Sequence, residues 1–424
     1  MRSGVIQVRQ DIGYGPLPAR RGSGSVLTHV AMAMLGAALA AGLILGLDNP
    51  ASGAGGSPLG SGAVPAPAPS AAPPTRGEKA IVSKVKPGLV LINTTLQYDS
   101  ELAAGTGMVL NASGLVLTNN HVIDDATKIT ATVVSTGKRY RATVVGYDKA
   151  GDVALIQLQH ASGLATVPVG NSSSVKTGNA VVAMGNAEGR GTITPTAGQV
   201  TGLNQTVEAS EDGASTSSET LHGMIQTNAD VVPGDSGGPL VSSAGVVIGM
   251  DTAGTDSSYE QASAAGFAIP INSALSVARR IAAGRAGSAI TIGYPPFLGI
   301  FIGAGSSSNP QIQAQQQGQQ NGTSGGSSQR CYTSNAGLTT PSTIAPVRSG
   351  TLIDGAICGS PAASAGITGG AVFTAVNGQA IGSPDNLTSI LTRFRPGQTI
   401  SVTWVSPSAK RTTSRLRLTA GPPQ

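Results

Sequence analysis

The chain has 424 residues, a formal net charge of +5, 40% hydrophobic side chains and only 3% aromatic ones. That length admits two or three domains, with cores built from Val, Ile, Leu and Ala. The two cysteines, Cys331 and Cys358, exclude a four-thiolate zinc site and permit one disulfide.

Residues 1–24 form a short N-terminal segment that includes Arg20 and Arg21. Residues 25–47, "SVLTHVAMAMLGAALAAGLILGL", carry no charged side chain. As a helix they would be about 35 Å long, enough to cross a bilayer. Arg20 and Arg21 before the run and Asp48 after it place the N-terminus in the cytoplasm and the rest outside. A cleaved signal sequence, giving a secreted protein, is the rival reading. Residues 48–78 are rich in Pro, Ala, Gly and Ser and read as a spacer that cannot fold by itself.

Residues 79–290 read as short strands separated by turns. "GTGMVLNASGLVLTNNHVI" gives two strands around an Asn-Ala-Ser-Gly turn, and "DVALIQL", "AVVAMG" and "VVIGMDTAG" are further buried strands. "SALSVARRIAA", 273–283, has helical spacing of its apolar residues. Many short strands and one late helix predict a mainly β fold of paired barrels. Residues 291–424 follow, interrupted at 303–330 by a Gln/Ser/Gly stretch that reads as a disordered insertion. This last part carries eight basic and two acidic side chains. Arg415 and Arg417 alternate with Leu416 and Leu418, as on the solvated face of a strand, so the charge does not read as a nucleic-acid surface.

The chemistry is concentrated in three short stretches. In "PGDSGGPL", 233–240, Ser236 sits among glycines and prolines, a setting that exposes a nucleophile and aims nearby backbone N–H groups at one spot. His121 follows "LTNN" at the end of an apolar strand. Asp152 opens the strand "DVALIQL", where a buried acid needs a partner that an imidazole N–H can supply. Asp148, the competing acid, lies in the polar turn "YDKAG". His121, Asp152 and Ser236 thus fall in the order of chymotrypsin-type enzymes. In such a unit the serine attacks a carbonyl, the histidine moves its proton, and the aspartate holds the imidazole. The turn Gly234–Asp235–Ser236 is the expected oxyanion site, with the Gly234 and Ser236 N–H groups as donors. No metal or cofactor motif is found.

"TNNHVI", "DVALIQL", "PGDSGGPL" and "GFAIPIN", in this order over residues 80–285, resemble the HtrA/Deg group of trypsin-like serine proteases. The Ala/Pro-linked, anchored layout is similar to that of actinobacterial members. The resemblance implies a chymotrypsin-like double β-barrel of six-stranded barrels with the site in the cleft between them. It also implies extracytoplasmic cleavage of misfolded or exported proteins, and relatives of this group are often trimers. "PFLGI", 296–300, is similar to the carboxylate-binding loop of PDZ domains, and residues 361–381 to their central strand–turn–strand region. That implies a C-terminal PDZ-like α+β domain in which Phe297, Leu298, Gly299 and Ile300 bind peptide C-termini and tune the protease. The specificity pocket falls on Asp230, six residues before the nucleophile, with Thr252 and Phe267. Asp230 departs from the small residue usual in the group: either it favours cleavage after Arg or Lys, or it turns to a local partner and cleavage follows small aliphatic residues, as the resemblance implies. Cys331 and Cys358, in one outward-facing domain, are expected to form a disulfide. A proteolytically silent PDZ adaptor at the membrane is the alternative function.

Overall fold

A computed structural model describes residues 76–98, 101–210, 218–252, 266–287, 289–303, 307–321, 330–335 and 338–423. The expected cytoplasmic segment, anchor and nearly all of the spacer lie outside these residues. No helix among the described residues is long and apolar enough to cross a membrane.

After helix α1 (Arg76–Val85), the first barrel is built from β1 (Leu89–Leu96), β2 (Glu101–Val109), β3 (Leu115–Thr118), β4 (Lys128–Val133), β5 (Arg139–Asp148) and β6 (Val153–Leu158). Each strand pairs antiparallel with its neighbour in the order β5-β4-β1-β2-β3-β6, and a β5–β6 pairing closes the ring. The composition explains the strand types. β4, "KITATV", alternates exposed or half-buried with buried positions, and its apolar side faces the barrel interior. β6, "VALIQL", is buried at every position but Gln157, because both of its faces meet protein.

The second barrel contains β7 (Ala180–Gly185), β8 (Thr194–Ser210), β9 (Ser218–Thr227), β10 (Pro239–Ser242), β11 (Val247–Thr252) and β12 (Gly266–Pro270), closed in the order β10-β11-β12-β9-β8-β7. Its end leads directly into α2 (Ile271–Ala282). Ile271, Ala274, Ala278 and Ile281 recur at helical spacing and are buried, while Gly284 follows the helix at φ +67°. The expected helix at 273–283 therefore starts two residues earlier. β13 (Ile290–Ile292) returns to pair with β5, so the first barrel gains a strand that runs two residues beyond the expected boundary at 290.

The C-terminal part is α+β. It comprises β14 (Pro296–Phe297), β15 (Ile300–Phe301), α3 (Pro310–Asn321), β16 (Thr351–Leu352), β17 (Gly355–Ala356), α4 (Pro361–Ser364), β18 (Val372–Val376), β19 (Gln379–Ala380), α5 (Pro384–Leu391), β20 (Thr399–Val405), β21 (Arg411–Arg417) and β22 (Thr419–Ala420). The main sheet runs β16-β18-β20-β21, with β19 on β18, over a core that includes Phe373 and Trp404. Arg415 and Arg417 are exposed and Leu416 and Leu418 buried, as their alternation predicts.

The disordered insertion expected at 303–330 is corrected over residues 310–321, which form α3. Gln313 is buried there. Its Nε2 donates to the carbonyls of Ser307 and Gly350, and its Oε1 accepts the Leu352 N–H, all at 2.8 Å. One side-chain amide thus does the work of a neighbouring strand along the edge of β16.

Candidate active site

The two barrels meet along β2. The Thr106 N–H donates to the carbonyl of Ser236 at 2.9 Å, and Thr106 Oγ1 donates to the carbonyl of Gly234 at 2.9 Å. Gly105 is forced by the same approach: a Cβ there would stand 2.6 Å from Val122 Cγ1 and 3.3 Å from the Ser236 carbonyl oxygen. The loop with the serine and the turn that begins at His121 therefore press on one glycine from two sides.

His121 follows Asn119 and Asn120 at the end of β3, and Asp152 immediately precedes β6. Because β3 and β6 are neighbours, their ends bring the two residues together. His121 Nδ1 lies 3.1 Å from Asp152 Oδ1 and 3.0 Å from Oδ2, and the His121 backbone N–H donates to Oδ1 at 3.1 Å. Asp152 is buried, whereas the His121 side chain keeps 36% of its surface exposed. A buried carboxylate facing one ring nitrogen fixes the proton on Nδ1 and leaves Nε2 as a base. Thr252 Oγ1 and Asn119 Nδ2 each add a donor to Asp152 Oδ2 at 2.9 Å. The competing acid, Asp148, ends β5 and accepts the Gly151 N–H at 3.1 Å; burial pushes its carboxyl up, with that bond and the Arg280 charge opposing.

Ser236 lies in the loop between β9 and β10 and is 4% exposed. The loop is tied to β11. The Gly237 N–H donates to the Asp251 carbonyl at 2.9 Å, and the Asp251 N–H to the Gly238 carbonyl at 2.7 Å. Thr252, the next residue, holds Asp152. A short covalent and hydrogen-bonded path thus runs from Ser236 through β11 to the His121–Asp152 pair.

The turn before the serine has a defined handedness. The Asp235 N–H donates to the Val232 carbonyl at 3.0 Å, and Gly234 has φ +94°. Pro followed by a left-handed Gly is the sequence signature of a type II turn. A Cβ on Gly234 would come within 2.2 Å of the Asn186 carbonyl, so no other residue fits. The Pro233 carbonyl accepts the Glu188 N–H at 2.7 Å. In a trans peptide the N–H points opposite to the C=O, so this bond turns the Gly234 N–H away from Glu188. The Asp235 N–H is committed inside the turn, which agrees with the expectation that only the Gly234 and Ser236 N–H groups of this turn are free to act as donors.

Asp235 is buried, and burial pushes its carboxyl up to about 6, a Val232 N–H bond opposing and the Asp230 charge assisting. Burial and the nearby Asp235 raise Asp251 well above the usual carboxylate range. The expected pocket residues differ in their surroundings. Asp230 is solvent-exposed, so it is not the desolvated carboxylate that a basic side chain would neutralise. Thr252 is buried and its hydroxyl serves Asp152. Phe267 is half-buried and pairs with Thr252 across β11 and β12. Thr106, Asn119 and Glu188, which hold the site, carry no sequence signal of their own: each acts through a contact that exists only after folding.

Phe297, Leu298, Gly299 and Ile300 are all buried. Tyr98, from the first barrel, stacks on Phe297 with ring centroids 5.9 Å apart, and Gly421 lies against the same ring. Gly299 has φ +71° and its carbonyl accepts Ser360 Oγ at 3.0 Å. Cys331 and Cys358 are joined in a disulfide across a sequence separation of 27 residues. Among the described residues no cluster of His, Cys, Asp and Glu could hold a metal ion.

Paired β-barrels with a His–Asp pair and a glycine-bounded serine where they meet define a trypsin-like serine protease. The family model described as a trypsin-like peptidase domain matches residues 105–250. The serine protease PepD of Mycobacterium tuberculosis is 30% identical over 410 residues, covering 93% of this chain and 76% of that protein. The periplasmic serine endoprotease DegP of Escherichia coli is 37% identical over 158 residues, covering 37% of this chain and 31% of that protein. Among solved structures, the HtrA-type protease AlgW with tripeptide is 25% identical, covering 82% of this chain and 98% of that one at a TM-score of 0.41. The chain belongs to the HtrA/Deg family of serine proteases.

Proposed function

We propose that the protein is an extracytoplasmic endopeptidase in which Ser236, His121 and Asp152 act as one catalytic unit. The observation that carries this reading is the buried Asp152 carboxylate at 3.0–3.1 Å from His121 Nδ1, tied through Thr252 and Asp251 to the loop of Ser236. Ser236 Oγ attacks the scissile carbonyl while His121 Nε2 takes its proton. The Gly234 and Ser236 N–H groups receive the developing oxyanion. The imidazolium, held by Asp152, then protonates the leaving amine, and water repeats the sequence to release the acyl group.

The relatives named as periplasmic serine endoproteases support endoproteolysis outside the cytoplasm; misfolded or exported polypeptides are the substrates this reading proposes. The uncharged run at 25–47 supports an anchor that leaves the barrels outside. The C-terminal α+β part supports a PDZ-like module in which residues 296–300 receive peptide C-termini and tune the protease. With Phe297 stacked under Tyr98, such binding requires that stack to open. Covalent labelling by a fluorophosphonate probe, with Ser236→Ala as control, tests the reading. Labelling of the wild type alone is expected; absence of labelling with and without added C-terminal peptides points instead to a silent adaptor.

A further inference from the structure

Asp152 has an unusual backbone. It is in the left-handed region at φ +49°, where a residue with a Cβ rarely settles without support. Its position explains the bend. The β3–β6 ladder ends at Thr118 paired with Ala154, and the chain must turn away before Val153 to present the carboxylate to His121. This turn removes Asp152 from the ladder. Its N–H goes back to the Lys149 carbonyl at 3.0 Å, and its own carbonyl is left facing the end of β3.

Asn119 stands there, one residue beyond β3 and fully buried. Its Nδ2 donates to the Asp152 carbonyl oxygen and to Asp152 Oδ2, both at 2.9 Å. One amide nitrogen therefore grips the backbone and the side chain of the same residue. The reverse amide orientation would set an oxygen against two oxygens, so the assignment is forced. Thr252 and the His121 N–H also reach the carboxylate, but Asn119 alone among these three also holds the backbone that aims it.

We propose that Asn119 is a positioning residue of the protease: by locking the left-handed turn and the carboxylate plane of Asp152 together, it sets the orientation of His121. The proposal rests on the reading of Ser236, His121 and Asp152 as the catalytic unit. Asn119 touches no reacting atom, so its removal should spare substrate binding and slow the chemical step. A misaligned base can lose about a hundredfold in rate without loss of the groups themselves.

The test uses the full chain with Asn119→Ala, Asn119→Asp and Ser236→Ala, assayed for kcat and KM across pH, with thermal unfolding as a folding control. Asn119→Ala is expected to lower kcat roughly 10- to 100-fold with KM within about twofold. Asn119→Asp is nearly isosteric but can donate only when protonated. Its kcat relative to wild type should therefore fall as pH rises, while the split between kcat and KM in Asn119→Ala separates positioning from packing. Either variant suffices if the other fails to fold. A kcat within about twofold of wild type, a loss confined to KM, or a pH-independent ratio for Asn119→Asp overturns the proposal. Ser236→Ala separates the two claims: if it remains active, the catalytic unit itself is misassigned, whatever Asn119 does.

Discussion

Thr252 and Asp152, one hundred residues apart in sequence, are joined by a 2.9 Å hydrogen bond from Thr252 Oγ1 to Asp152 Oδ2. The bond crosses from the second barrel to the first, so the aspartate of the proposed catalytic unit is held by both. A hydrogen bond to a charged group contributes about 1.5–3 kcal/mol. Thr252→Val keeps the shape and removes the donor. It should lower kcat roughly 10- to 100-fold with the cleavage-site preference unchanged. A changed preference at constant kcat would return Thr252 to the pocket wall.

Asp230 was the sequence's most specific hint about substrate, and its exposure removes the physical basis of that hint. A carboxylate already in water gains little from a substrate guanidinium. A survey of cleavage sites on a denatured protein mixture should show the same profile for wild type and Asp230→Ala. Loss of cuts after Arg or Lys in the variant would restore the trypsin-like reading.

Asp235 gives the site's support a pH dependence with a definite sign. Its carboxyl titrates at about 6 in the folded protein, facing Asp251 and Asp230 and accepting the Val232 N–H. An unfolded aspartate titrates near about 3.9. The folded state thus keeps a proton that the unfolded state has released, and this group's contribution to stability falls as pH rises from about 4 to about 6 and is flat above. Asp235→Asn cannot ionise, so its stability relative to wild type should grow over that window by roughly 3 kcal/mol. Denaturant midpoints for the two proteins at several pH values measure it; a constant difference would contradict the shift.

The disulfide between Cys331 and Cys358 supports the C-terminal part, where Tyr332 packs edge-on against Phe301 and donates its N–H to Ala356. Closing a loop of this size contributes roughly 3–4 kcal/mol by the chain-entropy account. Unreduced, denatured protein should show no titratable thiol, and reduction should lower the unfolding midpoint of this part. Two free thiols would refute the pairing.

Much of the site was legible because its chemistry is carried by short local patterns. Glycines around Ser236, a histidine closing an apolar strand and an acid opening another each need a physical reason, and one site supplies all three. The barrels were legible from strand length and alternation. What escaped was tertiary. Gln313 lies in a stretch whose composition reads as disorder, yet its side chain completes the edge of β16. Thr252 reads as a pocket residue until the fold brings its hydroxyl to Asp152. The bond from the Asp235 N–H to the Val232 carbonyl, which closes the turn before the serine, has no counterpart in the sequence pattern.

The central claim is that Ser236, His121 and Asp152 hydrolyse peptide bonds as a unit, and Ser236→Ala tests it most directly. The turnover of the purified variant on an unfolded polypeptide should fall about 10⁶-fold, the scale of comparable triad knockouts, with the fold intact. Retention of more than about 1% of wild-type turnover in a preparation free of other proteases would contradict the account, since such a loss is far smaller than removal of a triad nucleophile produces.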